Sequence, residues 1–198
     1  MRTFVAIELD GQLKRPLEAL QDRLKPHCPG LRWMDPAKIH LTLKFIGEIA
    51  EDRIVEISAA LDELAAQCRP FQFVIERMGV FGHSGPVKVV WVGIRDDEDG
   101  ALPRCHALCE RLLEPLGIPP ERRPFNPHLT LARNRDARQS KTIRQAVEPH
   151  AELRVGVQEV ESVTFYHSTL TSRGPVYQPL SRHVFQGAGE PAESVRRT

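Results

Sequence analysis

His40-Leu41-Thr42-Leu43-Lys44-Phe45-Ile46-Gly47 and His128-Leu129-Thr130-Leu131-Ala132-Arg133 are the stretches on which the reading of this chain turns. Their first four residues are identical, and one copy stands in each half of the chain. Branched and apolar residues alternate with polar ones in both, which is the pattern of a strand. Strand side chains point to opposite faces with a period of two. His40 and Thr42 therefore share one face, as do His128 and Thr130, while the leucines of each copy point the other way into a core. Strict alternation also puts Lys44 on the His40 face. It turns Arg133 away from His128 unless the strand ends or bulges there.

Working outward from the first copy, Thr3 to Leu9 reads as a strand. Asp10 is an N-cap for a helix carrying Leu13, Leu17, Leu20 and Leu24, which ends near Pro26. Leu31 to Trp33 is a short extended piece, Ile39 to Ile46 the motif strand, and Glu51 to Gln67 an amphipathic helix. Phe71 to Phe81 and Val87 to Ile94 read as strands, with a turn or loop in Gly79 to Pro86. The second half repeats this grammar. It has a helix over Leu102 to Leu116 with Leu108, Leu112 and Leu116 on one face, then the motif strand His128 to Arg133. A short helix follows at Ser140 to Val147, then strands at Val155 to Tyr166 and Val176 to Phe185. From Gly187 onward the chain is small, polar and charged, and reads as a disordered tail after a single two-lobed domain over 1–186. Helices set between short, hairpin-like strands predict an α+β fold with antiparallel sheets rather than a doubly wound parallel one.

The 198 residues are 41% hydrophobic and 27% charged with a net charge of +1, which excludes wholesale disorder and a histone-like blanket of positive charge. No apolar run is long enough to span a bilayer, and the N-terminus turns acidic too early for a signal peptide, so the expectation is a cytoplasmic protein without membrane association. Cys28, Cys68, Cys105 and Cys109 read as small buried side chains rather than disulfides or zinc ligands. The charge is uneven. Between Arg122 and Arg144 seven basic residues face one acidic residue, Asp136.

Two imidazoles on matched strands can meet across a cleft. With an ordinary pKa near 6.5, one can be neutral while the other is protonated, which equips a site for paired general base and general acid catalysis. Each threonine hydroxyl can donate to an anionic oxygen. The basic run around the second motif favours an anionic substrate, with Arg123 and Arg133 as the nearest phosphate ligands. Phe125, in the loop before the second motif, is a candidate for stacking on a base, and Lys44 a candidate for lining the cleft. Phe45 and Trp33 read as core. His27, His83, His106, His150, His167 and His183 lack the repeat context and read as surface or structural. No metal-binding spacing, P-loop or dinucleotide loop is present, so neither metal nor cofactor is expected.

The chain resembles the two-histidine (2H) phosphoesterases, and among them the LigT-like RNA 2′,3′-cyclic phosphodiesterases, also called 2′-5′ RNA ligases. Besides the two His-x-Thr-x motifs, the resemblance rests on Arg2-Thr3-Phe4-Val5-Ala6-Ile7, Arg32-Trp33, Leu43 to Glu48, Trp91-Val92-Gly93, Arg123 to Pro127, Leu131-Ala132-Arg133, Phe165 to Leu170 and Gly174 to Tyr177. It implies two pseudo-symmetric lobes, each an antiparallel sheet with helices outside, and a cleft between them holding both motifs. It implies metal-free opening of RNA 2′,3′-cyclic phosphate ends to 2′-phosphates. One histidine takes a proton from water and the other protonates the departing 3′ oxygen, while Thr42 and Thr130 hold the phosphate oxygens. His40 is assigned as proton donor and His128 as proton acceptor, and the reverse reaction would make a 2′-5′ linkage. RNA ends or small cyclic nucleotides are the expected substrates of a monomer without an obligatory protein partner. Three alternatives stay open: hydrolysis of another cyclic phosphate or of a 2′-5′ linked nucleotide, a nucleotide- or RNA-binding module without chemistry, and a zinc hydrolase.

Overall fold

The computed structural model describes residues 1–82, 85–96, 99–172 and 174–187. In chain order the elements are β1 (Arg2–Glu8), α1 (Gly11–Leu24), β2 (Arg32–Trp33), β3 (His40–Glu48), α2 (Ile54–Gln67), β4 (Phe71–Phe81) and β5 (Val89–Asp96). They continue with α3 (Ala101–Leu113), β6 (His128–Arg133), α4 (Ser140–Val147), β7 (Arg154–Val160), β8 (Ser162–Thr171) and β9 (Gly174–Val184). Local chemistry places the ends as expected. The Asp10 carboxylate accepts the Gln12 N–H at 2.9 Å and starts α1, and Leu17, Leu20 and Leu24 are its buried stripe.

The strands form one antiparallel sheet in the order β7-β4-β5-β6-β3-β1-β8-β9, with β2 paired on β6. At its centre β3 meets β6 through the pair Leu41–Leu129. Outward from that joint, β6, β5, β4 and β7 mirror β3, β1, β8 and β9. The two α+β lobes are therefore there, but neither is one half of the chain. Strand β4 follows the first motif in sequence yet pairs with β5 beside the second, and β8 follows the second motif yet pairs with β1 beside the first. Helix α2 packs on β8 and β9 while α4 packs on β4. This exchange ties the lobes into one hydrophobic core running under the whole sheet.

Three expectations need correction. Val155 to Tyr166 is not one strand. Strand β7 ends at Val160 and β8 starts at Ser162, and between them the chain crosses from one lobe to the other. Glu161 marks the crossing by accepting the Phe185 N–H at 2.8 Å, a long-range contact without a glycine or proline signal. Helix α3 buries Leu102, Cys105, Cys109 and Leu113, and the Leu108–Leu112–Leu116 row is only partly covered. The cysteines are the small residues on the face against the sheet, and all four cysteines are buried and free. Gly187 belongs to the fold, because the amides of Gln186 and Gly187 donate to Ala65 and Cys68 at 2.9 Å. The remainder of the expected tail, 188–198, and His83 lie outside the described residues. No described helix is long and apolar enough to cross a membrane.

Candidate active site at the joint between the lobes

The Leu41–Leu129 pair turns both leucines into the core and leaves the opposite face of the joint to the motifs. Extending the antiparallel register by one residue each way sets His40 opposite Thr130 and His128 opposite Thr42. The four side chains predicted to act together thus stand as a square on one face. Among the described residues neither threonine hydroxyl has an internal side-chain partner, which leaves both free to donate to a substrate oxygen.

Each motif strand then bulges at the same place. Against β1, Thr42 pairs with Ala6 but Lys44 pairs with Val5. Against β5, Thr130 pairs with Trp91 but Ala132 pairs with Val90. One extra residue per strand reverses the alternation. Lys44 consequently does not line the cleft. It is buried at 4% exposure, where its ammonium pairs with Glu110 and donates to the Pro119 carbonyl at 2.7 Å. Phe45, read as core, comes out onto the histidine face at 59% exposure. Arg133 comes out at the equivalent position of the second copy, exposed and close enough to lower the pKa of His128. The bulge is the condition on which Arg133 could reach the motif.

The two imidazoles are fixed alike. His40 Nδ1 lies 2.8 Å from the Lys38 carbonyl and His128 Nδ1 lies 2.8 Å from the Asn126 carbonyl. A carbonyl only accepts, so Nδ1 carries a proton in both rings and Nε2 is left for proton exchange. Their surroundings differ. His40 stacks on Phe4 with centroids 5.0 Å apart and meets the edge of Tyr177 at 5.2 Å. His128 meets Phe81 edge-on at 4.7 Å. Burial pushes both below the ordinary imidazole value, and the backbone hydrogen bond opposes it in both. Lys14 adds to the lowering of His40 and Glu8 works against it. At His128 the remaining charge is Arg133, which lowers it further. Glu8 is the cross-strand partner of His40, and its carboxylate accepts from Tyr166 and Thr164. The corresponding partner of His128 is Gly93. Sequence reading missed Phe4, Glu8, Phe81, Tyr166 and Tyr177, because only strand pairing carries them to the motifs.

The remaining candidates lie apart from the square. Arg123 is exposed in the loop before β6, across a groove from Phe45. Phe125 is stacked on His106 of α3 with centroids 3.9 Å apart, so one ring face is already covered. Arg144 donates to the Gly82 and Gly85 carbonyls and holds a loop. His183 is 3% exposed between β9 and α2, with Nδ1 2.6 Å from Asp62 and Nε2 2.8 Å from Ser181. That order of groups is the one a serine hydrolase uses, but here the imidazole is buried against α2 and ties that helix, through the exposed Asp62, to the sheet. Among the described residues no three His, Cys, Asp or Glu side chains gather as a metal site.

The LigT-like phosphoesterase family model matches this chain twice in succession, over residues 7–91 and 92–177, one match per repeat. A protein of Archaeoglobus fulgidus named RNA 2′,3′-cyclic phosphodiesterase is 30% identical over 180 residues, covering 91% of this chain and 98% of its own. One of the same name from Thermotoga maritima is 30% identical over 192 residues, covering 94% and 97%. Among solved structures, TT0787 of Thermus thermophilus superposes with a TM-score of 0.75 at 30% identity, covering 96% of this chain and all of that one. Escherichia coli LigT complexed with 3′-AMP shares the fold, with a TM-score of 0.73 at 24% identity, covering 93% and 97%. Two successive family matches, each containing one histidine motif on one side of a pseudo-symmetric joint, place the chain in the LigT-like phosphoesterase family of the two-histidine superfamily.

Proposed function

We propose that this chain hydrolyses 2′,3′-cyclic phosphates at RNA ends to 2′-phosphates, with His128 as proton acceptor and His40 as proton donor. The observation that carries the reading is the square of two imidazoles and two hydroxyls at the joint, with each imidazole pinned through Nδ1 so that Nε2 faces the chemistry. The names borne by the relatives support the substrate. His128 Nε2 takes a proton from a water as its oxygen attacks phosphorus. The bond from phosphorus to the 3′ oxygen breaks, and His40 Nε2 gives its proton to that oxygen. Thr42 and Thr130 donate to the two non-bridging oxygens, whose charge grows in the transition state, and Arg133 adds a guanidinium at the rim. The division of roles is drawn on the carboxylate that only the first copy has beside its imidazole. Glu8 favours an imidazolium at His40, against burial and Lys14, while Arg133 disfavours one at His128 and no carboxylate among the described residues acts there. The working unit is the two-lobed body acting as a monomer, and the reverse reaction joins suitable RNA ends through a 2′-5′ linkage.

The test is one assay in EDTA on an RNA ending in a 2′,3′-cyclic phosphate, with product isomers resolved beside a His40→Ala control. The expected product is a 2′-phosphate formed by the wild type alone. Loss of activity in EDTA would point to a metal hydrolase. Faster turnover of a cyclic phosphate of ADP-ribose or of a 2′-5′ oligoadenylate would move the substrate. Binding without turnover would make the chain a nucleotide-binding module.

A further inference from the structure

The geometry points to a second, separate binding site beside the reactive square: a groove for the nucleotide that precedes the cyclic end, which makes an RNA strand, rather than a free cyclic nucleotide, the preferred substrate. The inference rests on the RNA-end reading above. It starts from Phe45. A single exposed apolar residue needs no explanation, but this ring has a particular place. It sits on the histidine face because of the bulge in β3, and it continues the row from His40 through Phe4, whose centroid is 6.3 Å from its own. It also forms one wall of a cavity of about 400 Å³. Across that cavity the loop before β6 supplies Pro119, Arg122 and Arg123.

The charges of this groove select its occupant. Lys44 at the base is neutralised by Glu110 and buried, so it does not reach a ligand. Glu121 also lines the groove, where its carboxylate accepts the Arg123 N–H at 3.3 Å, so one negative charge stands against two guanidinium groups and the groove stays positive. Arg122 and Arg123 are exposed, and among the described residues neither pairs with a carboxylate. An open aromatic face opposite two unpaired guanidinium groups matches a base stacked above a phosphodiester, a pairing that accepts any base. A cyclic phosphate held by the square leaves its own nucleoside there. The 5′ phosphate of that nucleoside and the next base are what can reach from the square past Phe4 to Phe45. A free cyclic mononucleotide has neither group and leaves the groove unfilled.

The experiment compares kcat/KM on a cyclic mononucleotide with kcat/KM on a dinucleotide and a short oligoribonucleotide ending in the same cyclic phosphate. The wild type is expected to gain at least about tenfold on going from one nucleotide to two, the factor that one stacked base supplies. Phe45→Ala should reduce that gain by about tenfold. The double change Arg122→Gln and Arg123→Gln should reduce it too and flatten its dependence on salt, by about 0.7 in the logarithmic slope for each phosphate no longer neutralised. Equal losses on both substrates would overturn the proposal by making Phe45 a contact of the terminal nucleotide, and so would a wild type without preference for the strand. Anisotropy of a fluorescent oligoribonucleotide ending in a 2′-phosphate reads the groove without chemistry. Weaker binding by Phe45→Ala supports the groove even if the hydrolysis reading fails, and unchanged binding overturns it.

Discussion

Opposite His40 in the sheet stands Glu8, and opposite His128 stands Gly93. Past the bulges, one motif turns out the flat ring of Phe45 and the other the guanidinium of Arg133. Within the bulges, one copy buries Lys44 and the other Ala132. The shared residues are those that the proposed chemistry needs in duplicate: an imidazole pinned by a carbonyl, a hydroxyl, and leucines to hold the strand down. The differing residues lie just outside that set. Two identical surroundings would give two imidazoles of equal affinity for a proton, whereas acid–base catalysis works with one charged and one neutral. The asymmetry has to come from the frame, and the proposed roles assign it to one carboxylate, Glu8, acting against Lys14, and one guanidinium, Arg133, at places the repeat does not share.

Removing the imidazoles tests this division with the largest effect. His40→Ala and His128→Ala should each lower the rate on a cyclic-phosphate RNA end by about 10²–10⁴-fold with the fold intact, the usual contribution of a general acid or base. The copies part company on a substrate whose departing 3′ oxygen is replaced by sulfur. A thiol has an ordinary pKa near 8.5 and leaves without help from a proton donor. The sulfur substrate should therefore restore most of the rate to His40→Ala and little to His128→Ala. Rescue of His128→Ala instead would exchange the roles.

The threonines should answer alike. Thr42→Val and Thr130→Val each remove one donor from a phosphate oxygen, with an expected loss of up to about a hundredfold in kcat, since donors of this kind act on transition-state charge. A loss at only one of them would mean that the square holds the phosphate from one lobe. Position 44 tests the frame rather than the chemistry. Lys44→Ala makes the first copy resemble the second but leaves the largely buried Glu110 without its cation. Breaking such a pair costs about 3–5 kcal/mol, to be read as a lower urea midpoint. Lys44→Met combined with Glu110→Leu should cost clearly less, because no charge is then stranded.

The motifs, the two-lobed α+β architecture and most of the elements were legible in the sequence, because alternation and helical spacing are local signals. Strict alternation fails where one residue changes the period. Lys44 and Phe45 were assigned to the wrong face, and Arg133 reached the motif only through a stated exception to alternation, for one reason, a bulge after each His-x-Thr-x motif that neither glycine nor proline announces. The exchange of β4 and β8 between lobes was equally silent, since Glu161 looks like any polar residue within a strand. Glu8 lies far from His40 in the chain, and only the antiparallel register of β1 on β3 reveals it as a neighbour. Phe125 was a sound candidate by position, but its ring found His106 first.

The smallest effect is the one that speaks most directly to the asymmetry. The rate should follow a bell in pH, rising as His128 loses its proton and falling as His40 loses its own. Because burial lowers both, the bell for kcat/KM should centre below the ordinary imidazole value. Glu8 raises the pKa of His40 against the pull of burial and Lys14. Glu8→Gln removes that support, so the alkaline limb should move to lower pH. Arg133 lowers the pKa of His128, so Arg133→Gln should move the acid limb to higher pH. The two changes narrow the bell from opposite sides, and the double variant should be narrower than either. If Glu8→Gln moves the acid limb instead, His40 is the group that must lose its proton, and the carboxylate beside it would be supporting the base rather than the acid.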